Sequence, residues 1–189
     1  MAARDIMPFK SPRGGHNEVR WAAMTAGGTF EVGEPVAIVD AGTLTEPPQD
    51  DTQFILTDID TVGNICGIAA FGPGSSNIDP MTGSAFATGA MIAYYPADQG
   101  TLFITDNFFA AAAGSAVAPA LTDIGEIYQI TYAQFGTPDA GWGVEQTAGV
   151  PGTDVVAVIY DVLDSNKVSI NESSSNGTGV YVVFEMKTK

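Results

Sequence analysis

The sequence predicts an all-β protein, an antiparallel β-barrel or β-sandwich with an extended N-terminal arm. Short apolar runs recur about every ten residues with turn-forming residues between them, and the clearest periodicity is two, that of a strand, not 3.6. Gly and Pro are abundant, 22 and 11 of 189 residues, as many short turns require.

The elements follow in order. Residues 1–18 form the arm: the stretch from Met7 to Asn17 holds two prolines, two glycines and little apolar periodicity, and proline pushes its preceding residue toward extended backbone. The body, 19–189, carries candidate strands at 19–23, 35–39, 43–46, 52–57, 65–71, 90–95, 101–105, 126–132, 142–147, 155–163, 167–171 and 179–186. Asp40-Ala41-Gly42 and Asp98-Gln99-Gly100 place glycine where a three-residue hairpin needs a left-handed residue. Asp164-Ser165-Asn166 turns 155–163 into 167–171, and Asn176-Gly177 precedes the last strand. In 126–132, Tyr128, Ile130 and Tyr132 share one face, which predicts the buried one. In 155–163 both parities are largely apolar, which predicts burial on both faces. Residues 72–89 form a long turn-rich loop of the kind that is often functional, and the alanines after Phe108-Phe109 predict a short helical turn closed by Gly114.

Composition narrows the function. Charged residues are 15% of the chain, against about 25% in ordinary domains, while 45% hydrophobic content is enough for a packed core. The net charge of −15 comes from 22 acids and 7 bases, a balance opposed to nucleic-acid binding, which needs clustered Lys and Arg. Residues 21–166 contain no Lys or Arg at all. Arg4, Lys10, Arg13 and Arg20 stand in the first twenty residues, and Lys167, Lys187 and Lys189 near the end. An acidic body without cations repels itself, so its charge partners are expected elsewhere. The arm is expected to lie on an acidic neighbour, with Phe9 as apolar anchor and Arg4, Lys10, Arg13 and Arg20 as charged contacts.

Catalytic kits are scarce. One Cys and one His give neither a disulfide framework nor a Cys/His zinc site. His16 sits beside two glycines in the arm, a poor mount for a catalytic imidazole, and no nucleophile-elbow or phosphate-loop motif occurs. Cys66, between Ile65 and Gly67, reads as a small buried hydrophobe. Asp50, Asp51, Asp58 and Asp60 could supply oxygens to Ca²⁺, but they read first as a solvated acidic edge that discourages strand aggregation. A carboxylate-only glycosidase would need two acids about 5–9.5 Å apart in a cleft. The sequons Asn171-Glu172-Ser173 and Asn176-Gly177-Thr178 read as turn residues. No basic start followed by an apolar run marks a signal peptide, and no apolar run approaches the roughly 20 residues of a membrane span. A soluble protein made in the cytoplasm is expected, with no cofactor, no metal and no membrane or nucleic-acid partner.

The arm, the segment Thr29-Phe30-Glu31-Val32-Gly33-Glu34-Pro35-Val36, the glycine-ended hairpin after it, the strand 63–71, Ile124-Gly125-Glu126-Ile127-Tyr128 and Val158-Ile159-Tyr160-Asp161-Val162 together resemble, in style, the decoration or cement proteins of tailed-bacteriophage capsids. The resemblance implies a small non-enzymatic barrel or sandwich, commonly a homotrimer. Such a protein is made in the host cytoplasm, docks on the major capsid protein at the virion surface and stiffens the mature head. An alternative is a carbohydrate-binding or host-adhesion module, in which Trp142, Tyr94 and Tyr95 would form a sugar platform.

Overall fold

Alternating apolar residues and glycine-bearing turns do produce strands almost throughout. In the computed structural model the described residues are 6–10, 18–24, 32–38, 44–45, 54–55, 64–70, 90–110, 115–133, 141–148, 155–171 and 177–187. Among them are β1 (Met7–Lys10), β2 (Arg20–Ala23), β3 (Pro35–Ile38), β4 (Leu44–Thr45), β5 (Phe54–Ile55), β6 (Asn64–Ala69) and β7 (Met91–Pro96). There follow β8 (Leu102–Thr105), β9 (Phe108–Phe109), a 3-10 turn at Leu121–Asp123, β10 (Ile127–Ala133), β11 (Gly141–Ala148), β12 (Val156–Leu163) and β13 (Tyr181–Lys187).

The strands divide into two sheets. The larger runs β1-β8-β13-β12-β10-β11-β9, with β5 also paired to β10; the smaller runs β2-β7-β6-β3-β4. Every pairing is antiparallel except that of β9 with β11. Of the two expected architectures the described residues thus form the sandwich type. Phe103, Phe184, Ile159, Ile130 and Trp142 from the larger sheet share one core with Ala37 and Ile68 from the smaller. Each large apolar side chain taken from water there contributes about 1.5–3 kcal/mol. The opposite face of the larger sheet buries Ile104, Leu163 and Val183, because residues 183 and 184 must point to opposite sides. Among the described residues no helix is long and apolar enough to cross a membrane.

Two tight backbone requirements explain particular glycines. A Cβ on Gly67, within β6, would lie 2.0 Å from the Tyr95 carbonyl oxygen of β7, so the strands can approach only without a side chain there. Gly100 has φ +84° and supplies the left-handed residue of the 98–100 turn.

That turn corrects one expectation. Asp98-Gln99-Gly100 does not close a hairpin, since β7 belongs to the smaller sheet and β8 to the larger. Thr101 N–H donates to the Asp98 carbonyl at 2.9 Å. The Gly100 N–H donates to the buried Glu185 carboxylate of β13 at 2.6 Å, which fastens the turn to the larger sheet.

The arm requires a second correction. Its described part is extended, but it lies on the body: β1 pairs with β8 through Met7↔Ile104, Pro8↔Phe103 and Lys10↔Leu102. Ile6 is fully buried in the main core. Burial of one large aliphatic residue and a strand ladder outweigh solvation of the segment, and Pro8 is tolerable because β1 is an edge strand.

Smaller differences have the same origin. Phe108-Phe109 form β9 because both rings are buried, which overrides the helix preference of the alanines that follow; 111–114 fall outside the described residues. Residues 167–171 are a turn with a single bridge, Leu163↔Ser169. There the Asp164 carboxylate accepts the N–H groups of Asn166 and Val168, and Lys167 takes a left-handed φ of 62°. Strand β12 is buried on both faces at Val156 and Ala157 but exposes Tyr160. The loop 72–89 lies outside the described residues.

Candidate functional site

The residues assigned to partner contact divide three ways. Arg4 and Arg13 lie outside the described residues. Phe9 is the unpaired residue of a bulge in β1 and is exposed, and Lys10 pairs with Leu102 by its backbone. Arg20, the first residue of β2, is engaged by its own chain: its guanidinium donates to Glu18 at 3.0 Å and is paired with Asp98 of the 98–100 turn. Its pKa is raised, chiefly by the hydrogen bond to Glu18, with Asp98 adding to it.

Lys187 and Lys167 are also engaged locally. Lys187 Nζ lies 2.6 Å from the Glu185 carboxylate, and Lys167 Nζ stands 5.7 Å from the centre of the Tyr181 ring. Arg20, Lys167 and Lys187 thus each make a contact within their own chain, with the Arg20 and Lys187 side chains still partly exposed.

Buried acids are tied into the fold. Asp123, at the 3-10 turn, accepts the Ala120 N–H at 2.7 Å, the Tyr128 hydroxyl at 2.8 Å and the Gln146 amide at 3.1 Å. Burial, then the hydrogen bond to Asp123, pushes the Tyr128 phenol above its ordinary range. Glu145 accepts the Thr147 hydroxyl at 2.8 Å, and Glu185 holds Gly100 and Lys187 as described. The contacts of Asp123, and that of Gly100 with Glu185, stitch turns to strands. Asp50, Asp51, Asp58, Asp60 and His16 lie outside the described residues. Among the described residues no cluster of three His, Cys, Asp or Glu could hold a metal.

The sugar platform is not formed by the expected aromatics. Trp142 and Tyr94 are buried, and Tyr95 packs against the main core.

Cys66 is half-buried against an apolar cluster, less enclosed than its sequence context predicts. It packs beside Met24, Val36 and Ala69, and its thiol donates to the Val36 carbonyl at 3.4 Å. Burial pushes the thiol up to about 12 from 9.0. The folded value is the higher one, so its contribution to stability is complete below pH 9.0 and is lost as pH rises toward 12. At pH 8 a thiol reagent is expected to react with the native chain far more slowly than with the urea-unfolded chain. Equal rates would contradict this environment.

Sequence reasoning missed a patch at the edge of the smaller sheet. Trp21 of β2 and Met91 of β7 are exposed, and so is Val19 just before β2. Trp21 lies opposite Ala93 and Ala23 opposite Met91, so Trp21 and Met91 are diagonal neighbours on one face. The available signal was a tryptophan set against Ala22 and Ala23 in a strand bounded by a charged residue. Comparison with protein-family models, with curated proteins and with solved structures gives no match.

Proposed function

We propose that the chain is a non-enzymatic structural protein that docks on another protein. The closest functional type is a decoration protein that binds the major capsid protein on a tailed-phage head, associates with itself and stabilises the mature shell. One observation carries the reading: the chain has a net charge of −15 while Arg20, Lys167 and Lys187 are held by its own acids and rings. Such a surface is relieved by a cationic protein partner. A ligand that binds only the expanded shell stabilises it by mass action, by about 2.7 kcal/mol per site at a free concentration 100 times Kd.

The test is co-sedimentation of the purified protein with expanded and unexpanded head shells of its parent phage. Binding to expanded shells is expected at 50 mM salt and is expected to weaken at least tenfold at 500 mM, where charge attraction is screened. No binding to expanded shells at low salt would overturn the reading. Light scattering of the free protein is expected to give a compact trimer.

A further inference from the structure

We propose that the outer edge of β2, to which no other described strand is paired, accepts an extended strand from a partner, in which apolar residues alternate with basic ones. The inference rests on the reading above only for the identity of that partner.

Edges differ in how well they can be extended. β1 contains Pro8, which has no N–H, and a bulge at Phe9, two devices that block further pairing. β4 and β9 are only two residues long. β2 is regular: Arg20↔Tyr94, Trp21↔Ala93, Ala22↔Ile92 and Ala23↔Met91 run without a break. Met24 N–H continues the ladder to the Ala90 carbonyl at 2.8 Å. In an antiparallel ladder, residues alternate between bonding the partner and pointing away from it. Met24, Ala22 and Arg20 bond β7, so Trp21 and Ala23 direct their N–H and C=O groups to the open side.

Side chains at this edge specify the incoming strand. One face presents Val19, Trp21 and Met91, which are 40%, 58% and 53% exposed, and tryptophan is the residue most enriched among binding hot spots. The other bears Ala22 and Met24 over the buried Ile92 and Tyr94, and at its Arg20 end Glu18 and Asp98 place two carboxylates around one guanidinium. An added strand with a two-residue period would lay apolar side chains on Trp21 and basic ones beside Glu18 and Asp98. A second copy of this chain is the less favourable occupant because it brings the same −15.

A ten-residue peptide alternating valine and lysine is the probe, with a valine–glutamate peptide as control. Binding is read from the emission of exposed Trp21, since Trp142 is buried. The lysine peptide is expected to shift the emission to the blue and the glutamate peptide to leave it unchanged. Ala23→Pro removes an outward N–H while sparing the bonds to β7, and should weaken lysine-peptide binding at least tenfold when binding is followed with a labelled peptide. Trp21→Ser, at an exposed position, should do the same and carries the test if the proline variant fails to fold. Phe9→Ser should change nothing. Equal affinity across parent, Ala23→Pro and Trp21→Ser would overturn the proposal. So would equal binding of the glutamate peptide, or a dimer of the parent that Ala23→Pro dissolves. The two readings fail separately. Shell binding untouched by both variants removes the edge and leaves decoration, whereas edge-dependent peptide binding without shell binding removes decoration and leaves the edge.

Discussion

Ile6→Ala is expected to lower stability by about 2–5 kcal/mol, the range for truncating a large buried aliphatic side chain. A tether would show almost no effect. Ile6 is fully buried in the core shared by both sheets, and the strand after it pairs with β8. Deletion of residues 1–10 should cost more still, because it also removes the β1 ladder that covers one side of β8. Met7→Ser is the matched control: Met7 is exposed on the same strand, so its replacement should stay within about 0.5 kcal/mol. Urea titration separates these outcomes, since a lower midpoint at constant slope reports lost stability without a change in the surface unfolded. An Ile6→Ala midpoint equal to that of the parent would show that the N-terminal segment does not belong to the core. Truncating the arm is for the same reason a poor test of partner binding, because it damages the body it is meant to spare.

The existence of the strands could be read from residues alone, and their partners could not. Alternation in 126–132 and the apolar run at 155–163 mark β10 and β12 because a strand's local period is visible in one dimension. Asp98-Gln99-Gly100 has the same turn chemistry whether it returns the chain to its own sheet or hands it to another. The choice depends on Glu185, 85 residues away, accepting the Gly100 N–H. β1 was hidden by Pro8 and the glycines after it, which signal a loop locally, while the decisive fact is a core vacancy that Ile6 fills. Charge segregation was visible, but its meaning changed: Arg20 lies early in the sequence, yet the pairing of β2 with β7 brings it to Asp98. The sequence marks Trp21 as unusual for its strand, but its pairing with Met91 depends on that same register and is not visible in one dimension.

Phe184→Ala should be as damaging as any single truncation in the protein, at about 3–5 kcal/mol. Phe184 is fully buried and central to β13, opposite Ile159 of β12 on one side and Phe103 of β8 on the other. Its ring centre lies 6.0 Å from that of Phe103 with the planes tilted by 35°, and tilted aromatic pairs contribute about 0.5–1.5 kcal/mol beyond burial. Phe103→Ala should therefore be costly too, and the double variant should lose less than the sum of the two by about that coupling. Phe184→Leu, which leaves a smaller cavity, should fall between parent and alanine variant. For a chain of this size each kcal/mol lowers Tm by roughly 2–4 °C, so Phe184→Ala should melt at least several degrees early. A loss below about 1 kcal/mol would place residue 184 outside the inter-sheet core. It would also undo the alternation that sends Val183 to the opposite face, and with it the assignment of which side of the larger sheet meets the smaller one.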